Sequence, residues 1–235
     1  MQHDLPGVGQ NLKDHASFTI RLKANSGVKF DAEAPRSQVS LKYTSSGSSV
    51  KNDMTIWAGS FSTQPGQDIT TSTGMNLSVV LEQSKSTGEI LLESKDPHVH
   101  PKLDFRYLED PWDIERLRDA IRICHQITEH PKMKSLVQSW SDPTDCEMSS
   151  DVAIDNWIIQ RVKTFWHMTG TCKMGSESDP YAVVDQYGKV RGIKGLRIAD
   201  MSIAPDIVRA PTHATAIMIG ERIAHWLQLE HKDEI

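Results

Sequence analysis

Cysteine is scarce in this 235-residue chain. The three residues, Cys124, Cys146 and Cys172, are an odd number without metal-ligand spacing. That usage argues against a cysteine metal centre and fits a reducing, cytoplasmic compartment. Long apolar runs are missing too: no stretch approaches the ~18 residues that a membrane-spanning helix needs. Clustered basic charge is absent, and the net charge is −5, so nothing electrostatic points to nucleic acid or an anionic membrane. No internal period marks a solenoid or propeller. Met1-Gln2-His3-Asp4-Leu5-Pro6 lacks the basic and apolar segments of a secretory signal. What is there, 38% apolar and 24% charged residues, is ordinary soluble-protein composition, in a chain long enough to bury a core as one large domain or two small ones.

After an opening loop ending Asn11-Leu12-Lys13-Asp14-His15, branched and alternating residues predict strands over Ser17–Leu22, Gln38–Tyr43, Asp53–Ala58, Met75–Leu81 and Glu89–Glu93. An antiparallel sheet with one wet face is the natural arrangement. Asp110-Pro111-Trp112-Asp113 reads as a helix start: a capping carboxylate, proline at the first helical position, and acid at the positive end of the dipole. Ile114, Leu117, Ile121, Cys124 and Ile127 form its apolar stripe, with Pro131 beyond the exit. A second helix is predicted from a Ser150 or Asp151 cap to Val162, a short buried strand over Leu196–Asp200, and a last helix from Ala214 to about Leu229. That last helix begins apolar all round (Ala216, Ile217, Met218, Ile219), as a helix inside a large protein does, and becomes amphipathic later.

Several tempting features are set aside. Gly7-Val8-Gly9-Gln10-Asn11-Leu12 follows Leu-Pro rather than a strand, and Leu12 stands where a dinucleotide loop needs a small residue. His98 and His100 share one strand face, but no third ligand is near and Pro101 interrupts, so a solvated loop is the better reading and no metal site is assigned. His125 and His225 read as packing or surface residues. His167, in Phe165-Trp166-His167-Met168-Thr169-Gly170-Thr171-Cys172-Lys173-Met174-Gly175, and His213, at the head of the last helix, read differently. Gly170 and its small neighbours let backbone approach a flat ligand. The helix start at His213 points free N–H groups and partial positive charge at whatever lies there. A neutral imidazole can accept an alcohol proton. The two histidines are therefore the candidate acid–base pair.

These segments resemble the glucose–methanol–choline (GMC) oxidoreductase family, in its choline dehydrogenase-like form. The opening loop Asp4–His15 is similar to the family's D-L-P-G-V-G-x-N-L-x-D-H segment, and His167–Gly175 to its H-x-x-G-T-C-x-M-G motif. Val183-Val184-Asp185 and the run Val190–Pro205 resemble its V-V-D…V-x-G-V-x-G-L-R-V-x-D-x-S-x-x-P stretch. His213 and the helix through Glu221 match the last signature, whose key position holds histidine or asparagine. Arg209-Ala210-Pro211-Thr212 departs from the usual Gly-Asn-Thr-Asn type of approach to that helix.

The resemblance implies an α+β chain. Residues 16–164 are expected to form a substrate-binding domain, an antiparallel sheet backed by helices. Residues 1–15, an opening loop, and 165–235 are expected to belong to the carboxy-terminal part of an α/β FAD-binding domain. It implies that Met1 starts inside a longer parent whose amino-terminal half seats the ADP part of FAD. His167 and His213 carry over as catalytic residues, and Asp200, Met201, Ala214 and Thr215 as flavin contacts. The implied reaction oxidises the CH–OH group of a small-molecule alcohol, with the hydroxyl proton going to the histidine pair and hydride to flavin N5. The identity of the alcohol and the electron acceptor stay open. The competing expectation is a truncated, inactive chain or one subunit of a split enzyme, exposing the apolar face of its terminal helix.

Overall fold

The computed structural model describes residues 3–31, 33–60 and 74–232; Met1 and Gln2, at the start of the segment tested for a leader, lie outside them. In chain order the elements are β1 (Ala16–Ala24), β2 (Ser37–Tyr43), β3 (Met54–Gly59), β4 (Met75–Leu81), β5 (Glu89–Leu91), β6 (Lys102–Asp104), α1 (Pro111–Glu129), α2 (Pro131–Lys134), β7 (Val137–Asp142), α3 (Asp151–Arg161), β8 (Lys163–Thr164), a 3₁₀ turn (Met201–Ile203) and α4 (His213–Lys232). They gather into two compact units. One comprises Ala16–Gln83 and Asp110–Phe165; the other comprises Met1–His15, Ser84–Glu109 and Trp166–Ile235. Residues 84–109 thus cluster with the two chain ends, not with the sheet to which the sequence reading joined them.

The sheet unit is antiparallel, in the order β2-β3-β4-β1-β7, with β8 also paired to β1. Its register follows from alternation: Phe18, Ile20 and Leu22 on β1 are buried, while Thr19 and Arg21 between them are half-exposed. Phe18 lies opposite Val79, which lies opposite Ile56, so one cross-strand row fills one face of the sheet. α1 and α3 pack on β4 and β1. The Asp110 carboxylate accepts from the Trp112 N–H at 2.8 Å and caps α1, and Pro111 opens it, as its residue types dictate. Leu117, Ala120, Ile121 and Cys124 turn inward; Ile114 and Ile127 are only half-buried. Ser150 caps α3, which sets Trp157 edge-on to Phe18 with ring centroids 5.2 Å apart. Burying a ring such as Phe18 contributes about 1.5–3 kcal/mol.

One buried feature of this unit has no periodic signal. Arg116 Nε meets Asp53 Oδ2 at 3.1 Å, with both side chains nearly inaccessible. Burial acts most strongly on the Asp53 carboxyl and pushes its pKa up. Hydrogen bonds from the Ser45 hydroxyl and N–H, from Ser48 and from Arg116 outweigh burial and hold it below the ordinary value. Burial lowers Arg116 against the pull of Asp53, from so high a starting point that the pair stays ionic.

In the other unit the opening loop is stitched to two later segments. Leu12 pairs with Gly88, and Lys13 with Thr169. The Lys13 ammonium, itself buried, donates to the carbonyls of Ser84, Lys85 and Ser86. The short β5–β6 hairpin hangs from this loop through Ile90 N–H and the Gly9 carbonyl. Val183, Val184, Val190, Met201, Ile203, Ala204, Ile219 and Ile223 make the core.

Three expectations need correction. Leu196–Asp200 is not a strand: only an isolated bridge, Lys189 to Arg197, falls there. Leu196 is exposed, and Arg197 reaches out to Glu230 on α4. β5 stops at Leu91, two residues early. α4 is not apolar-buried all round; Ile219 and Ile223 are buried, whereas Ile217 and Met218 are more than half exposed. β7, which lies along β1, had no counterpart in the reading, since Val137-Gln138-Ser139-Trp140-Ser141-Asp142 carries little apolar character.

Candidate active site

The site is built on the unit that holds both chain ends. Asn11 and Trp166 each take left-handed backbone, at φ 61°. For asparagine that costs little; for a tryptophan it is strain, and it stands immediately before His167. Gly170 is also left-handed (φ 88°), and a Cβ there would lie 2.4 Å from the Asn11 carbonyl oxygen, so only glycine fits. The Asn11 amide donates to the carbonyls of Gly170 and Pro205, both at 3.2 Å. Beyond Gly170 the segment runs as a ladder on the 3₁₀ turn: Gly170 N–H to the Met201 carbonyl, Cys172 to Ser202, and Met174 to Ile203, at 3.2, 2.8 and 2.7 Å. Asp200 caps that turn by accepting from the Ser202 N–H at 2.8 Å. Met201 and Ile203 pack in one core with Ile219 and Ile223 of α4. The histidine motif, Asp200-Met201 and the helix that begins at His213 are therefore held by a continuous set of contacts.

The ring set against His167 is that of His15. Their Nδ1 atoms are 2.8 Å apart, with ring centroids at 4.9 Å and planes nearly perpendicular. His15 is fully buried, and its Nε2 lies 2.9 Å from the Val208 carbonyl oxygen. Asp14 clips the arrangement together. Its Oδ1 accepts from the backbone N–H of His15 at 2.8 Å and of His167 at 2.9 Å, and its Oδ2 accepts from the Tyr107 hydroxyl at 2.6 Å. Tyr107 stacks on Phe105.

His213 is exposed as the first residue of α4; among the described residues no hydrogen bond or ring contact joins it to His167. Both histidines of the expected pair lie in the same compact unit. Ala214 is exposed and Thr215 half-exposed. The first helical hydrogen bond runs from Ala216 N–H to the Thr212 carbonyl, so the N–H groups of residues 213–215 have no partner within the helix. With no acid in its first turn, that end is suited to an electron-rich group. Thr169 Oγ1, two residues beyond His167, is buried with no hydrogen-bond partner among the described residues. These features fit a flavin. His15, Asp14 and Tyr107 were missed as site residues; the only signal for the first two was their place in the D-H end of the opening motif.

An α+β chain with this histidine motif, held on this 3₁₀ turn and helix, has the layout of the carboxy-terminal domain of a GMC oxidoreductase. The family model described as GMC oxidoreductase, carboxy-terminal domain, matches residues 84–220, and the chain belongs to that family. It is 32% identical to the oxygen-dependent choline dehydrogenase of Klebsiella pneumoniae, over 94% of this chain and 44% of that protein. The enzyme of the same name from Ectopseudomonas mendocina is 34% identical, over 94% and 43%. The chain thus spans less than half the length of these curated relatives. Among solved structures, pyridoxine 4-oxidase from Mesorbium loti superposes with a TM-score of 0.83 at 23% identity, over 98% of this chain and 45% of that one. A formate oxidase from Aspergillus oryzae, in a study of FAD modification, gives 0.85 at 23%, over 98% and 48%. At that identity they show the fold, and it is the expected one.

Proposed function

We propose that this chain supplies the substrate domain and the catalytic carboxy-terminal elements of an FAD-dependent oxidoreductase acting on the CH–OH group of a small alcohol. What carries the reading is the ladder from Gly170, Cys172 and Met174 to Met201–Ile203, which ties the histidine motif to the turn and helix proposed to face the cofactor. Asp200, Met201, Ala214 and Thr215 would hold the flavin. When bound, FAD supplies the acceptor for the hydride that leaves the alcohol carbon. His167 accepts the hydroxyl proton as the carbonyl forms. His213 hydrogen-bonds the substrate oxygen and shares the acid–base work. The N–H groups opening α4 favour negative charge at their end of the site. Residues 16–164, apart from the segment 84–109, are the proposed substrate-binding domain.

The test is anaerobic mixing of the flavin-loaded holoenzyme with a panel of small alcohols, following loss of oxidised-flavin absorbance. Alcohol-dependent bleaching is expected, and His167→Ala should slow it by about 10²–10⁴-fold. Unchanged bleaching in that variant overturns the role of His167. A chain that takes up no flavin, or takes it up and is never reduced, supports instead a catalytically silent chain or one part of a split enzyme.

A further inference from the structure

We propose that His15 is a positioning residue that fixes the tautomer of His167, leaving the Nε2 of His167 unprotonated and able to accept a proton. The inference rests on the proposed function for its catalytic meaning, but its structural content stands by itself.

A backbone C=O only accepts, so the contact of His15 Nε2 with the Val208 oxygen at 2.9 Å requires a proton on Nε2. With one proton on the ring of the fully buried His15, that proton sits on Nε2. A neutral imidazole protonated at Nε2 has a bare Nδ1. Across the 2.8 Å gap between the two Nδ1 atoms, the proton must therefore belong to His167, because two N–H groups would collide there and two lone pairs would leave no bond. A neutral His167 protonated at Nδ1 carries its lone pair on Nε2. The chain from the Val208 carbonyl through His15 to His167 thus sets the state a general base needs. If His15 were cationic, the order would reverse: its Nδ1 would donate, and Nε2 of His167 would hold the proton and be useless as a base.

The proton balance follows. The alcohol O–H bond breaks, its proton joins Nε2, and His167 becomes an imidazolium that still donates through Nδ1 to His15. That bond strengthens when its donor is charged, so His15 stabilises the protonated base while remaining neutral. A neutral imidazole here fills the place a carboxylate takes beside the histidine of a Ser-His-Asp triad. The adjoining carboxylate, Asp14, is instead occupied by the two backbone N–H groups and the Tyr107 hydroxyl. It holds the rings in register and leaves the ring-to-ring contact to the imidazoles.

The experiment is two-bond proton–nitrogen correlation NMR on the chain labelled with ¹⁵N-histidine, which distinguishes Nδ1–H from Nε2–H rings. His167 is expected as Nδ1–H and His15 as Nε2–H, with the Nδ1–H pattern lost in His167→Ala. In His15→Phe, which removes the acceptor, His167 should revert towards Nε2–H. In His15→Asn, whose carbonyl can stand where the ring Nδ1 stood, it should remain Nδ1–H. An Nε2–H ring at His167 in the unsubstituted chain overturns the inference even if the variants fail to fold, as does a tautomer unmoved by His15→Phe. In the flavin-loaded holoenzyme, His15→Phe should slow flavin reduction by about 10²–10⁴-fold, the range for a lost base or a wrong tautomer, with His15→Asn recovering much of it. A fixed tautomer in a protein that oxidises no alcohol sinks the functional reading and spares this one; alcohol oxidation with the opposite tautomer does the reverse.

Discussion

Asp14→Ala is the most informative single change in the site's frame. The carboxylate is 3% exposed and accepts three hydrogen bonds, at 2.8, 2.9 and 2.6 Å, from the His15 N–H, the His167 N–H and the Tyr107 hydroxyl. Hydrogen bonds to a charged group contribute about 1.5–3 kcal/mol each. Removing the carboxylate also relieves the cost of keeping a charge out of water, several kcal/mol. The balance is a loss of about 3 kcal/mol for Asp14→Ala, and about 1 kcal/mol for Asp14→Asn, whose amide oxygen still accepts at one position. Urea denaturation of the purified chain measures both as midpoint shifts at constant slope. An alanine variant within about 0.5 kcal/mol of the parent, the range of an ordinary surface change, would refute the view that Asp14 clips the two histidine segments together.

Other outcomes follow from the same packing. Arg116→Met strands the buried Asp53 charge and should cost about 3–5 kcal/mol, while Asp53→Asn combined with Arg116→Met should cost less; a double variant no better than the single one contradicts the pairing. Because the folded pKa of Asp53 lies below its ordinary value, its contribution is fully present above the carboxylate range and is lost as pH falls through the folded value. Acid titration of stability should accordingly be shallower in Asp53→Asn than in the parent. Gly170→Ala forces a Cβ to 2.4 Å from the Asn11 carbonyl at φ 88°, and should destabilise by more than the ~1 kcal/mol of ordinary Gly–Ala exchanges. A neutral result by thermal melting would mean the loop and motif are not in contact.

Much of the architecture was legible because alternation and capping are local. β1 to β4 and the start of α1 come from residues that share a face or end a helix within a few positions. What was illegible depends on partners distant in sequence. Arg116 sits among the apolar positions of α1, and the carboxylate that pairs with it, Asp53, lies 63 positions away in the sequence. His15 and His167 lie 152 positions apart; nothing near either shows that their rings meet. The candidate histidine at 167 was visible from its motif, while its neighbour was visible only as the last letter of another. Leu196–Asp200 misled for the opposite reason: an apolar-looking run is held to the surface of α4 by Arg197 and Glu230, and its backbone finds turn partners in place of a sheet.

The central claim, that His167 and His213 serve one substrate oxygen, is tested most directly by a crystal structure of the holoenzyme with FAD and an unreactive alcohol analogue. The account predicts the analogue's oxygen within about 3.2 Å of a ring nitrogen of each histidine, both imidazoles on the same side of the isoalloxazine. An analogue bound at the flavin with either ring turned away or beyond reach would contradict it.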